Sequence, residues 1–353
     1  MKIAIVHETD GRKYFAAIDN LEKTNKISSI DYIQGRCLRN LGRDILKLNI
    51  NPRIALRKFF TAWRQRLSFP FVKYDLAVIA FGPYDFRFIY YALFCRAKRI
   101  ITHTSWPDWS DNPPVQYGAL TKVNKCLWHL VFKFKNIECV AVTEPAKRSF
   151  NENHSVKTTV IPHAISKQFA ADNYSKKTAH ICFVGELSDS KGILTLIEIS
   201  KKTTKKITIV GSGPLTETIN NATKQLPNII FLGPINDRLK LAAIVASHRY
   251  LIVPSQKTEV WQELFGIVII EAMAVGTIPI CSNHAGPNGI LYNQWPNLLI
   301  KEESNPDAFL DAINLIDSDD NARKGLSAAL IENSYRYSIK EISEAWFKLI
   351  KGA

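Results

Sequence analysis

The chain has no run of about twenty apolar residues, the length a helix needs to cross the hydrocarbon core of a bilayer. A transmembrane protein of the helical kind is therefore not expected. Its opening residues, MKIAIVHETDG, turn polar too soon for a signal peptide, so export is not expected either. Six cysteines, Cys37, Cys95, Cys126, Cys139, Cys182 and Cys281, form no C-x-x-C pair, and several fall inside apolar runs. They read as reduced core residues of a cytoplasmic protein. Acids are the scarce charge: 32 Asp and Glu face 46 Lys and Arg, a formal net charge of +14. What remains is ordinary for a globular protein, 46% apolar and 22% charged, and 353 residues exceed what one core usually serves. Two domains are expected.

A positive balance suits nucleic acid, anionic lipid or phosphorylated substrates alike, because charge supplies affinity without identity. It is unevenly spread. Between residues 36 and 73, ten basic side chains meet a single acid, Asp44. Within that stretch RKFFTAWRQRL, Arg57 to Leu67, interleaves Phe59, Phe60 and Trp63 with cations. An interfacial helix on an anionic inner-membrane surface has this pattern, and so has an ordinary amphipathic helix with an aromatic edge turned to the core. No recognition motif accompanies the charge, so a nucleic-acid partner is not expected.

Short apolar runs alternate with helical stretches throughout, which argues for α/β architecture with parallel sheets. Strands fit Lys2–Val6, Leu76–Phe81, Ile100–Thr102, Glu138–Val142 and Thr158–Ile161 in the first half, and Ile181–Val184, Lys206–Val210, Ile229–Leu232, Tyr250–Val253 and Ile278–Cys281 in the second. Helices fit 30–47, 86–97, 116–134, 146–151, 191–203, 215–225, 236–247, 266–275, 306–316, 320–331 and 338–351. The result is two Rossmann-like sets, 1–167 and 179–334, joined by the polar linker Gln168–Thr178 and followed by a last helical segment, 335–353. In such sheets ligands sit beyond the carboxyl ends of strands, where His7, His103, His163 and His284 fall. No i, i+4 pair or carboxylate spacing accompanies these histidines, so no metal site is expected. The DSD at 317–319 reads as helix capping. GSGP, Gly211 to Pro214, lacks the third glycine and the downstream acid of a dinucleotide fingerprint.

The most informative stretch runs from Tyr250 to Leu291. Ile267 to Val275 is apolar on every face and too short to span a membrane, so it reads as a buried helix. One carboxylate, Glu271, sits inside it, and a buried charge without donors costs several kcal/mol. The expectation is that its partner comes from outside the polypeptide. Glu263 lies just before the helix, and Gly266 lets an anion approach the first amides of Phe265, Ile267 and Val268. One helix thus offers a phosphate cradle with a carboxylate on either side, and a nucleoside diphosphate sugar presents the matching groups.

The pattern Pro254-Ser255, Glu263-Leu264-Phe265-Gly266 through Glu271-Ala272-Met273-Ala274, with Gly276-Thr277-Ile278-Pro279, resembles the E-x₇-E signature of retaining glycosyltransferases of family four, and among them bacterial members that build capsule and lipopolysaccharide chains. The resemblance implies the GT-B fold: two Rossmann-like domains facing across a cleft, with a C-terminal helix crossing back to the first. It implies transfer from a UDP- or GDP-linked sugar to a glycan or lipid-linked glycan, with no metal or other cofactor. Glu263 would hold sugar hydroxyls and Glu271 the ribose. Lys191, in FVGELSDSKG, matches a phosphate-binding lysine, whereas Glu186 stands where the family has an arginine, and Lys257 is the alternative cation. Gly185 opens that loop. His103, ending the strand in IITHTSW, matches a histidine that reaches the transferred sugar. The backbone around Ile235 and Lys240 would meet the base. AGPNGIL, Ala285 to Leu291, matches a glycine-rich turn. Two other readings stay open: a non-catalytic nucleotide-sugar binder of the same fold, and a basic nucleic-acid-binding protein.

Overall fold

The computed structural model describes residues 1–9, 11–35, 52–110, 120–169, 177–258, 261–301 and 306–352. The chain divides into two compact units, Met1–His163 with Ile342–Ala353, and Ala164–Glu341.

In the first unit, strands β1 (Lys2–His7), β2 (Ser29–Gln34), β3 (Lys73–Ala80), β4 (Arg96–Thr104), β5 (Ile137–Ala141) and β6 (Thr158–Val160) form a parallel sheet in the order β2-β1-β3-β4-β5-β6. Ile3 to Val6 and Leu76 to Ile79 are completely buried, as strands covered on both faces must be. Helices α1 (Ala16–Lys23), α2 (Pro52–Ser68), α3 (Phe86–Phe94), α4 (Leu120–Phe134) and α5 (Glu144–Asn153) connect them. From β2 onward every crossover steps in one direction along the sheet, so right-handed connections place α2, α3, α4 and α5 on one face. On α3 and α4, Phe88 stacks on Trp128 with ring centroids 3.9 Å apart. Arg66 Nε donates to Tyr91 Oη at 3.1 Å, joining α2 to α3.

Two expectations are corrected here. A helix over 30–47 cannot begin where it was placed, because Ser29–Gln34 pairs as an edge strand with β1; residues 36–47 lie outside the described residues. Only Ile33 of that strand is fully buried, so its apolar signal is weak, and α1, whose Asp19 accepts from Tyr32 Oη at 2.6 Å, escaped the sequence reading altogether. Helix 86–97 stops at Phe94 because Cys95 is extended and Arg96 begins β4.

In the second unit, β7 (Ala179–Val184), β8 (Ile207–Val210), β9 (Ile229–Phe231), β10 (His248–Val253), β11 (Ile278–Ser282) and β12 (Leu299–Ile300) pair in parallel in the order β12-β11-β10-β7-β8-β9. The helices are α6 (Ile193–Lys201), α7 (Thr216–Gln225), α8 (Arg238–Ser247), α9 (Ile267–Ala274), α10 (Ala285–Leu291), α11 (Asp307–Asp317) and α12 (Asp320–Ser334), and the last helix, α13 (Ile339–Lys351), only begins here. Residues 285–291, expected as a turn, form α10. Most of the expected linker, 170–176, lies outside the described residues; Lys167–Phe169 is a short 3₁₀ turn. Asp319 caps α12, accepting from Asn321 N at 2.9 Å and Ala322 N at 3.0 Å. Asp317 is not a cap: it accepts from Tyr250 Oη at 2.6 Å and Lys205 Nζ at 3.2 Å. At the other end of α9, Lys177 Nζ donates to the Val275 carbonyl at 2.8 Å and Thr277 Oγ1 at 2.9 Å, a cation on the negative pole of that helix. Burial pushes the Lys177 amine down to about 8.

Helix α13 enters the first unit from Ile342 onward. There Ser343 Oγ donates to the Ala17 carbonyl at 2.9 Å, and Arg99 Nη1 caps the helix end on the carbonyls of Leu349 at 3.1 Å and Ile350 at 2.8 Å.

Candidate active site

The loop after β7 closes in a single 3₁₀ turn, Asp189–Lys191, tied to the segment after β10 by Gln256 N–H donating to the Ser190 carbonyl at 2.8 Å. This tie aims Lys191 at the start of α9. Its Nζ lies 2.6 Å from Glu263 Oε2 and 4.6 Å from the centre of the Trp261 ring. Glu263 is fixed through its backbone: its N–H donates to His284 Nδ1 at 3.0 Å, and its carbonyl accepts from Gly286 N–H at 3.0 Å. The geometry makes His284 Nδ1 an acceptor, which assigns the ring proton to Nε2. At Gly266, φ is +83°, a left-handed conformation that turns the chain directly into α9. Ile269 N–H makes the first bond of the helix, to the Gly266 carbonyl at 2.9 Å, so the amides of Ile267 and Val268 precede the ladder. These two residues are half-buried while Ile269 to Ala274 are buried, so the helix is not enclosed on every face: its N-terminal end is the open one.

Helix α10 holds this turn in place. A Cβ on Gly286 would lie 2.5 Å from Phe265 N and 2.6 Å from its Cα. Backbone cannot yield that distance, so Gly286→Ala is expected to displace residues 264–265 and to cost about 1–3 kcal/mol, the usual range for overpacking. Denaturant unfolding, together with nucleotide affinity, checks this; a variant as stable as the native chain would show that the turn is free to move.

Glu271 is 4% exposed, as a buried acid, but its partner is internal. Arg238 Nη2 donates to Oε1, and the Ser166 amide donates as well. The expectation that this charge is met only from outside the polypeptide is therefore corrected. Burial pushes the Glu271 carboxyl up to about 7, against the lowering effect of the guanidinium and the amide. Asp237, the N-cap of α8, accepts from Leu239 N at 2.9 Å and Lys240 N at 3.2 Å and so orients the first turn that carries Arg238. The guanidinium also lies 5.1 Å from the Phe169 ring centre. Sequence reasoning missed Arg238: it stands 33 residues before Glu271, with no spacing rule to connect them. Of the neighbouring residues singled out for the base, Ile235 is half-buried, and the Lys240 amide is engaged by Asp237.

In the 185–187 loop, Gly185 N–H donates to Val210 C=O at 3.1 Å and Leu187 N–H to Ser212 C=O at 3.1 Å. The end of β8 and the GSGP turn thus brace the loop that carries Lys191. Glu186 and Lys257 are both exposed. Phe265 is buried, its ring 6.2 Å from that of Tyr337.

In the first unit, His103 is the penultimate residue of β4 and is buried, its ring centroid 4.8 Å from Phe15, 5.7 Å from His163 and 6.2 Å from Trp346. Burial holds its basicity well below the ordinary histidine value, with His163 and His7 adding repulsion. The ring is a neutral imidazole. Three of the four strand-end histidines, His7, His103 and His163, gather around Tyr14 and Phe15, whereas His284 serves the second unit. Among the described residues no three His, Cys, Asp or Glu side chains are grouped to hold a metal ion.

Residues 165–336 match the family model described as glycosyl transferases group 1. The chain is 26% identical over 173 residues to the O-antigen chain mannosyltransferase C of Escherichia coli, covering 45% of each, and 26% identical over 220 residues to the phosphatidyl-myo-inositol mannosyltransferase of Mycolicibacterium smegmatis, covering 59% of this chain and 55% of that protein. These matches span about half the length of the curated relatives. Among solved structures, Anabaena HepE in complex with UDP superposes over 100% of both chains with a TM-score of 0.70 at 14% identity, a likeness of fold. The fold is GT-B. Residues 165–336, which hold the paired carboxylates and Lys191, are thus the part of the chain that resembles the glycosyl transferases group 1 family.

Proposed function

We propose that the chain is a retaining, metal-independent glycosyltransferase that moves a sugar from a nucleoside diphosphate donor to a growing bacterial surface glycan, of the lipopolysaccharide or capsule kind. The observation that carries this reading is the meeting of Lys191 with Glu263 at 2.6 Å beside the open start of α9. A cation, two leading amides and a helix pole converge where a departing diphosphate gathers charge, and stabilising that charge is the main catalytic contribution open to such a site. Glu263 holds sugar hydroxyls on one side, Glu271 the ribose on the other, and His103 positions the transferred sugar. A solved neighbour bound to UDP supports a UDP-linked donor, and relatives named for O-antigen and phosphatidyl-inositol glycans support a glycan or lipid-linked glycan acceptor. The assigned location is the cytoplasm, peripheral on the inner membrane face, with residues 57–67 toward the lipid.

Glu186 favours the second reading, a nucleotide-sugar binder without turnover, since a carboxylate stands in the loop where the family carries an arginine. One experiment separates the two. The purified chain is melted with UDP- and GDP-linked hexoses, then assayed for nucleotide release with and without an isolated glycan acceptor. One donor is expected to raise the melting temperature by several degrees and to release nucleotide faster when acceptor is present, in buffer containing chelator and with the anomeric configuration kept. Stabilisation without release would favour the binder; no response to any donor at millimolar concentration would overturn both.

A further inference from the structure

Between the segment that opens the second unit and the start of α13, Ile165, Phe169, Ala274, Tyr335 and Ile339 line an apolar pocket of about 240 Å³. All of its lining residues belong to the second unit. The two segments are tied by Ile165 N–H, which donates to the Tyr337 carbonyl at 2.8 Å. Three serines also line the pocket, and each hydroxyl already has a partner in the chain. Ser166 Oγ donates to Gln168 Oε1 at 2.5 Å, Ser334 Oγ donates to the Ile331 carbonyl at 2.6 Å, and Ser338 Oγ accepts from Glu341 N–H at 3.2 Å. The wall therefore offers carbon more than hydrogen bonds. Lys167, which is exposed, is the one charged side chain among the lining residues.

The pocket adjoins the acid of the donor side. Ala274 stands three residues after Glu271 on α9 and so on the same face of that helix. Ser166 supplies the amide that Glu271 accepts, and the Phe169 ring lies 5.1 Å from the Arg238 guanidinium. One wall of the pocket thus touches both members of the Glu271–Arg238 pair.

We infer that this pocket binds the alkyl chain of a medium-chain carboxylic acid, its carboxylate on Lys167, as an effector of nucleotide binding. Size sets the guest: a dry cavity of ~150 Å³ holds a benzene-sized molecule, and drug-sized ligands occupy ~300 Å³ or more. A single unbranched chain falls between these limits, whereas a sterol or a nucleotide does not. A sugar would meet a wall of carbon with its hydroxyls unanswered. Charge sets the head group, because Lys167 repels a cation and no acid lines the pocket to receive one. A bound chain fixes Ser166 and Phe169 before the nucleotide arrives, so part of the ordering is done in advance and affinity rises. The effector role rests on the nucleotide-binding reading; occupancy of the pocket does not.

The test is calorimetric titration of the purified chain with octanoate and with octanol, each with and without UDP or GDP. Octanoate is expected to bind one-to-one with a Kd below about 1 mM, and Lys167→Glu, at an exposed position, to weaken it about threefold or more while leaving octanol unchanged. Ile339→Trp, which fills the pocket, is expected to abolish binding of both at an unchanged melting temperature; should it fail to fold, the Lys167→Glu comparison decides. With octanoate bound, nucleotide affinity is expected to rise about threefold or more, and unchanged affinity would remove the effector role. Absence of saturable octanoate binding, or octanoate binding unaffected by Lys167→Glu, overturns the proposal. Displacement of octanoate by the nucleotide would place the guest in the donor site and overturn it too. So would a dimer of the native chain that octanoate dissociates in ultracentrifugation, which would assign the pocket to a second copy. Octanoate binding in a chain that takes up no nucleotide would count against the glycosyltransferase reading and leave the pocket's occupancy standing.

Discussion

Glu271→Ala is expected to weaken nucleotide binding by about a hundredfold, ~2.7 kcal/mol, in protein that remains folded. The size follows from what the carboxylate would do. A ribose presents two hydroxyl donors, and hydrogen bonds to a charged acceptor are worth more than neutral ones. The fold should survive because the group left behind, Arg238, is 42% exposed and can hydrate. Calorimetric titration with nucleoside diphosphate measures the effect, and unchanged affinity would remove Glu271 from the site.

The same residue sets a pH dependence. Its carboxyl sits at about 7 in the folded chain against an ordinary value of 4.5. Between those two values the folded state keeps a proton that the unfolded chain has released, so stability is full below about 4.5 and declines as pH rises to about 7. Glu271→Gln, which cannot ionise, should flatten that decline in melting temperature. Arg238→Ala should extend it to higher pH, because removing the guanidinium takes away the largest influence favouring the charged form.

Lys191→Ala is expected to lower turnover by about 10²–10³, the loss typical of removing one donor from a developing negative charge, ~2.7–4 kcal/mol. The residue is well placed for such a loss: its side chain is 25% exposed and its partner Glu263 13%, so solvent screens the pair less than a surface pair. Lys191→Arg should restore part of the rate, since charge rather than shape is required. Glu263→Gln should release Lys191 from its ion pair while removing the proposed sugar contact. Separate determination of kcat and KM distinguishes the roles, because a residue acting only as the charge departs changes kcat more than KM. Equal loss in Lys191→Met and Lys191→Arg would mean that the cation is not what matters.

Much of this architecture could be read before any coordinates. Central strands such as Ile3–Val6 and Tyr250–Val253 are continuous apolar runs because both faces are covered, and that signal is unambiguous. Helix α9 was legible for the same reason. Two of the four edge strands were not: Ser29–Gln34 and Leu299–Ile300 bury few residues, and their patterns fade into loops. The turn expected at Ala285–Leu291 is a helix because Gly286 is required there by the nearby backbone of Phe265, not by a turn of its own. At the site, Glu263 and Glu271 could be singled out because one precedes and the other lies inside a single apolar helix, and Lys191 because its loop resembles the family's; Lys191 and Glu263 do meet, at 2.6 Å. Arg238 could not, since its meeting with Glu271 depends on where α8 lies beside α9. The premise that Glu271 had no counterpart inside the chain failed for that reason.

One consequence concerns His103. Packed between Phe15 and the helix that carries Trp346, its imidazole is denied the proton that would make it a titrating acid in the physiological range. Whatever it contributes is then a fixed dipole, the same in mildly acid and mildly alkaline media. An ionisation seen near neutrality in the rate of sugar transfer would belong to another group, and the carboxyl inside α9 is the side chain already poised there.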